Sequence, residues 1–189
     1  MGAAGAVENG RHPVRLFYAL TLSQREQEAL QRQQRALMMG MEHGKPTPRE
    51  NLHMTLQFLG EISEKELPRL QGIMERCAEL EHPFSMNLCR YGCFPGRGEE
   101  KLWYTTGCCP GAVRLAEDLK RHLEYAGFPV EQREFLPHIT LIRRGILREA
   151  FCAPEPEPVP VVADQIVLLG SRQRGDGVQY IPLASAALK

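Results

Sequence analysis

Along this chain, stretches in which every second residue is apolar give way to stretches with helical spacing, and the exchange recurs in a regular order. VRLFYALTL (14–22) is dense in β-branched and aromatic residues and predicts a strand. Ser23, followed three residues later by Glu26, predicts a capping box opening a helix that runs to about Met39. Gly40, Gly44, Pro46 and Pro48 are expected to break that helix and form a loop. NLHMTLQFLG (51–60) predicts the next strand, Ser63 with Glu66 a second capped helix to about Leu80, and PFSMNLCRYGC (83–93) another strand.

The same order then returns. KLWYTTG (101–107) predicts a strand, Pro110 opens a helix to about Ala126, and EFLPHITLIRR (134–144) predicts a strand. APEPEPVP (153–160) reads as an extended connector, after which VVADQIVLLGS (161–171) and GVQYIPLA (177–184) close the sheet as two strands. Two strand-helix-strand halves facing one another are the expected organisation. Residues 1–13, rich in Gly and Ala, are expected to be a disordered leader, 14–184 the folded domain and 185–189 a tail.

Composition narrows the class. With 189 residues, 43% of them hydrophobic, the chain is long enough to bury a core. Lys plus Arg equals Asp plus Glu at 23 each, so no global basic field draws it to polyanions, and any such partner has to be held locally. The six cysteines show neither Cys-x-x-Cys nor a zinc spacing, and reduced thiols in a cytoplasmic protein are expected. Gly2 is not followed by the Ser or Thr that N-myristoylation needs at position 6, which is Ala6, and no apolar run has the length of a membrane span.

Two four-residue stretches carry the chemistry: HMTL at 53–56 and HITL at 138–141. Six His and six Thr in 189 positions would give about 0.2 of one His-x-Thr by chance, so a pair sharing the following Leu is informative. Side chains two apart on a strand share a face. Leu52, Met54, Leu56 and Phe58 therefore form one apolar row with His53, Thr55 and Gln57 opposite, and Pro137, Ile139 and Leu141 form another with His138 and Thr140 opposite. Two imidazoles across a groove can share acid and base duties near neutral pH, and two hydroxyls can donate to an anion between them.

These stretches, with VRLFYALTL, GCFPGRGEEKLWY (92–104), FLPHITLIR (135–143) and a closing strand pair carrying Ser171 and Tyr180, resemble the two-histidine (2H) phosphoesterase superfamily over about residues 14–184. Within it the similarity is to the RNA 2′,3′-cyclic phosphodiesterases, first described as 2′-5′ RNA ligases. The resemblance implies a bilobal α+β fold, with two pseudo-symmetric antiparallel-sheet lobes and outer helices around a central cleft. It also implies hydrolysis of 2′,3′-cyclic phosphate ends to 2′-phosphates without metal or other cofactor, with His53 as general acid and His138 as general base. RNA ends or nucleoside 2′,3′-cyclic phosphates are the expected partners, and a monomer away from membranes the expected state.

Thr55 and Thr140 are expected on the phosphate oxygens, and the arginine of the family pattern maps to Arg143. Strict alternation would instead put Arg144 on the face of His138 and Thr140, so Arg143 requires the strand to bulge or end there. Trp103, with Phe17 or Tyr18, is a candidate for stacking a base, against the commoner fate of packing. Arg97 and Lys101 read as solvated charges, and His12, His43, His82 and His122, lacking a Thr partner, as incidental. RNA ligation by the same pair, or noncatalytic nucleotide binding, are the competing readings. Intact His and Thr in both motifs disfavour the binder, and the abundance of water favours hydrolysis.

Overall fold

The structure is a computed structural model and describes residues 14–175 and 177–189. The leader expected over 1–13 lies outside the described residues. In chain order the elements are β1 (Val14–Leu20), α1 (Gln24–Met38), β2 (Met41–Pro46), β3 (Met54–Ile62), α2 (Leu67–Leu80), β4 (Phe84–Pro95), β5 (Lys101–Cys108), α3 (Pro110–Tyr125), β6 (Ile139–Leu147), β7 (Val159–Ala163), β8 (Gln165–Arg174) and β9 (Gly177–Ala187), with 3-10 turns at Arg49–Asn51 and Glu64–Glu66.

This is an α+β fold whose sheet runs β7-β4-β5-β6-β3-β1-β8-β9, with β2 added on β6 and every pair antiparallel. The order is a palindrome about the β6–β3 seam: each motif strand is followed outward by the strand that opens its half, then by two more. β3 and β6 meet through one residue pair, Met54 with Ile139. Those two residues, both fully buried, stand directly beside His53 and His138.

One face of the sheet is covered by the three helices. Their apolar stripes, among them Leu30 and Leu37 of α1, Leu70 and Met74 of α2 and Leu115 and Leu119 of α3, form one cluster with Leu16, Tyr18, Met54, Leu141 and Ile166 of the strands. Burying so many side chains at roughly 1.5–3 kcal/mol each is the main stabilising contribution. Among the described residues the opposite face has no helix packed on it, and it holds a small second cluster of Phe17, Ala19, Val167 and Leu169, with Tyr180 against it.

Local signals were followed closely in α1, where the Ser23 hydroxyl accepts from the Glu26 N–H while the Glu26 carboxylate takes the Ser23 N–H at 2.6 Å. The other Glu26 oxygen accepts from the Val162 N–H at 2.8 Å, so the cap also ties α1 to β7. Ser63 does less than expected. It caps the 3-10 turn through the Lys65 N–H, and Glu66 pairs with Arg69 instead of completing a box.

Four expectations are corrected. Residues 41–46, expected as loop, form β2 along β6: Gly44 permits the close approach, since a Cβ there would lie 2.9 Å from Ile142 Cγ2, and Pro46 sits at the strand's end, where a missing N–H costs least. Residues 134–138 are outside β6, and the Thr106 hydroxyl donates to the Pro137 carbonyl at 2.6 Å in place of ladder bonds. The single strand expected over 161–171 is two, because Asp164 lies between β7, which pairs with β4, and β8, which pairs with β1 at the other end of the sheet. Residues 185–189 are not a free tail. β9 runs to Ala187, Leu188 is buried, and the Leu188 and Lys189 N–H groups donate to Asp164 and Glu81.

The two serine caps therefore differ in worth. Ser23→Ala should lower unfolding free energy by about 1 kcal/mol or more in urea titrations, and Ser63→Ala by clearly less. Equal losses would show that the reciprocal box, with its link to β7, adds nothing.

Candidate active site

Each His-x-Thr-Leu begins a strand, and the same two local devices recur in both. The first holds the imidazole: His53 Nδ1 donates to the Asn51 carbonyl at 2.7 Å, and His138 Nδ1 donates to the Leu136 carbonyl at 2.8 Å. A carbonyl can only accept, so both neutral rings carry their proton on Nδ1 and turn a basic Nε2 outward. At His53 that nitrogen lies 3.0 Å from Thr55 Oγ1, and the hydroxyl donates to it while the ring is neutral.

The second device is a β-bulge at the Leu after each Thr. Across β1, Ala19 pairs with Thr55 and Tyr18 with Gln57, so Leu56 is the extra residue. Across β5, Tyr104 pairs with Thr140 and Trp103 with Ile142, so Leu141 is. Leu56 and Gln57 are consequently both buried, as are Leu141 and Ile142, and alternation resumes one position late. The fifth residue after each His then returns to the open side of the sheet: exposed Phe58 in β3 and exposed Arg143 in β6. The second bulge is pinned from α1, where buried Gln34 donates from Nε2 to the Leu141 and Thr47 carbonyls at 2.8 Å each.

Arg144 follows in the left-handed region at φ 53°, a second irregularity between the pairs Trp103 with Ile142 and Lys101 with Gly145. Strict alternation does not hold across this strand. Phe58 and Gln57 accordingly lie opposite to the faces expected of them: Phe58 is 62% exposed and Gln57 6%.

Aromatic rings enclose both imidazoles. Phe17 lies 5.0 Å from His53 and Tyr180 meets it edge-on, also at 5.0 Å. Phe94 and Tyr104 flank His138 at 5.1 and 5.2 Å. Tyr104 reaches that place across Gly92, where a Cβ would come within 2.4 Å of the phenol ring. Burial among these groups disfavours the charged imidazole and pulls His53 down to about 4. The bond to Asn51 opposes this, and the charges of Arg143 and His138 add to it. His138 is also lowered, first by burial, against the bond to Leu136. Arg143 is thus close enough to His53 to act on its charge.

The structure gathers His53, Thr55, His138, Thr140 and Arg143 about the β3–β6 seam. The base-stacking candidates fare differently. Trp103 packs on the core side with Nε1 donating to the Gly145 carbonyl at 3.3 Å, and Phe17, though on the open side, is buried beneath His53 and Tyr180. Phe58, tilted on Phe17 at 5.8 Å, is the ring with an open face. Asn51, Tyr104, Phe94 and Gln34 also escaped the sequence reading. Asn51, two residues before His53 in NLHMTL, donates from Nδ2 to the Val178 carbonyl at 2.7 Å and so moors the segment that anchors the ring. Among the described residues no three His, Cys, Asp or Glu side chains gather as a metal site would require, and no helix is long and apolar enough to cross a membrane.

Comparison with known proteins bears on this site. The family model for LigT-like phosphoesterases matches residues 20–104. An RNA 2′,3′-cyclic phosphodiesterase of Thermus thermophilus is 34% identical over 93% of this chain and 91% of its own. One of Escherichia coli is also 34% identical, over 76% of this chain and 78% of its own. Among solved structures, TT0787 of Thermus thermophilus superposes with a TM-score of 0.76 at 34% identity, covering 92% of this chain and 97% of that one. E. coli LigT complexed with 3′-AMP superposes with a TM-score of 0.79 at 28% identity, covering 94% and 99%.

The depressed His53 pKa makes a test of the free protein. In phosphate-free buffer the His53 ring protons should titrate near 4 by NMR, well below an ordinary histidine at about 6.5. Because the unfolded chain binds this proton more readily, the stability gained by burying a neutral ring is complete above about pH 6.5. It is lost as pH falls toward 4, on the order of 3 kcal/mol in all, and His53→Gln should remove that part of the acid sensitivity. A His53 midpoint near 6.5 would contradict the buried, neutral ring.

Proposed function

The chain belongs to the LigT-like phosphoesterase family, and from that membership we propose that it is an RNA 2′,3′-cyclic phosphodiesterase using His53 and His138 as its acid–base pair. One observation carries the reading above the others: two His-x-Thr motifs meet at the β3–β6 seam, each with Nδ1 committed to a carbonyl and Nε2 left for chemistry. Relatives bear the name of this activity over most of their length.

In the proposed reaction a cyclic phosphate lies between the two rings. His138 Nε2 takes a proton from water as its oxygen attacks phosphorus, the bond from phosphorus to the 3′ oxygen breaks, and His53 delivers a proton to that oxygen, leaving a 2′-phosphate and a 3′-hydroxyl. Thr55, Thr140 and Arg143 donate to the non-bridging oxygens, where charge builds in the transition state. Phe58 offers its open face to the base of the terminal nucleotide.

His53, at about 4 in the free protein, has to be protonated to serve as the acid. A phosphate anion about 4 Å away at an effective dielectric of about 20 favours the imidazolium by about 4 kcal/mol, enough to lift its pKa by about three, to near neutrality. Protonation also reverses the Thr55 bond. Once Nε2 carries a proton it can no longer accept from Oγ1, so the hydroxyl hydrogen is released toward the phosphate and the Nε2 proton is the one available to the 3′ oxygen. Substrate binding and arming of the acid are thereby the same event.

The test is incubation with nucleoside 2′,3′-cyclic monophosphates, in buffer and in excess EDTA. Turnover to the 2′-monophosphate is expected in both, and His53→Ala and His138→Ala should each lose at least about a hundredfold while remaining folded. Near-normal activity of either variant, or loss in chelator that added metal restores, counts against the paired-histidine mechanism.

The bulge ranks the two arginines. Arg143→Ala should lower kcat/KM by about a hundredfold or more, the scale of a lost charge on the transition state, and Arg144→Ala by no more than a few-fold. The opposite ranking would return the phosphate contact to Arg144.

A further inference from the structure

Beside His53 a cavity of about 350 Å³ runs out along β8 and β9, with Gln27 of α1 also in its wall. Its size falls within the roughly 300–1,000 Å³ of small-molecule sites. Leu52, Val167, Leu169 and Tyr180 supply apolar wall, Glu50 and Gln165 stand among its polar groups, and among the described residues neither Lys nor Arg lines it. His53 is itself part of the wall, and Tyr180 is shared between the cavity and the edge of the His53 ring.

That lining selects by chemistry. A phosphate would find neither Lys nor Arg in this lining and would face the Glu50 carboxylate, whereas a flat, uncharged ring with polar edges finds apolar faces to lie on and acceptors for its amino or imino hydrogens. Phe58, proposed above for the terminal base, lies five positions further along β3 and is not in this wall. The cavity is therefore free for another base. Resting on the phosphodiesterase reading, we propose that it is the subsite for a second nucleoside, the one that precedes the cyclic-phosphate end in an RNA strand. The enzyme then binds the end of a polynucleotide rather than a lone nucleotide.

The experiment compares a nucleoside 2′,3′-cyclic monophosphate with a dinucleotide that ends in the same cyclic phosphate. The dinucleotide should have a kcat/KM about tenfold higher or more, chiefly through KM, as expected for one additional base held on an apolar and aromatic surface. Ser185→Trp, from an exposed position on the rim, or Gln165→Trp from another part of the wall, should abolish that advantage and leave monomer turnover unchanged, which also certifies that the variant folds. If the monomer is hydrolysed but the dinucleotide gains nothing, or if the tryptophans lower both substrates alike, the cavity assignment is overturned while the phosphodiesterase reading stands. If neither substrate is turned over, that reading falls, and this one with it.

Discussion

The extra residue after each threonine is the constraint from which the rest of the site follows. A strand that kept strict alternation would bury the residue five places after its histidine, because it would share the face of Met54 or Ile139. The bulges at Leu56 and Leu141 delay alternation by one step, so Thr and the fifth residue both open to the side of the sheet without helices. Two consecutive buried residues in each motif, Leu56 with Gln57 and Leu141 with Ile142, are the packing cost, and the core absorbs it differently in the two halves. Ile142 fits without loss. Gln57 instead carries a polar amide into the core, its Nε2 without a protein partner among the described residues.

Holding the bulges in register requires backbone partners that a regular ladder would have supplied. Gln34 provides them in β6 by donating to the Leu141 carbonyl, which also accepts from the Thr47 N–H at 2.8 Å. This explains a polar side chain at 5% exposure in the middle of the α1 stripe. It also gives β2 a purpose: the chain between α1 and the first motif runs along β6 and brings Thr47 to the bulge. The anchoring of each ring likewise relies on segments outside the ladder. The Asn51 side chain is moored to β9 through Val178, and the Pro137 carbonyl, next to Leu136, is held by Thr106 of β5, so the segments whose carbonyls fix the two imidazoles are tied to other strands.

Much of this was legible in the sequence because it rests on local rules. The capping box at Ser23, the core face up to Leu56 and Leu141, and the sharing of a face by His and Thr depend on residues within one turn or one pleat of each other. What was illegible depends on partners distant in the chain. Nothing within MEHGKP marks a strand when its only pairing partner lies about a hundred residues away, and nothing in VVADQIVLL announces that its two halves join opposite ends of the sheet. Strict alternation puts Phe58 in the core because it runs through a bulge that has no sequence signature of its own. The same bulge in the second strand was anticipated only because resemblance demanded Arg143, and strand geometry by itself favoured Arg144.

The palindromic strand order finally explains why a duplicated motif does not give duplicated halves. Four features at the seam are matched: the carbonyl-anchored imidazole, the hydroxyl two residues on, the bulge, and an edge-on aromatic ring. The first position released by the bulge is unmatched, with an exposed phenyl in one half and a guanidinium in the other. A phosphodiester at the end of a strand is itself symmetric at phosphorus and asymmetric beyond it, with two oxygens to protonate or deprotonate, one anionic centre and a base to one side. An acid–base pair suits the symmetric part and has to be placed by equivalent frameworks. Orientation must come from the positions where the frameworks differ, and by this argument the proposed regiochemistry resides in Phe58, Arg143 and the cavity beside His53 more than in the histidines.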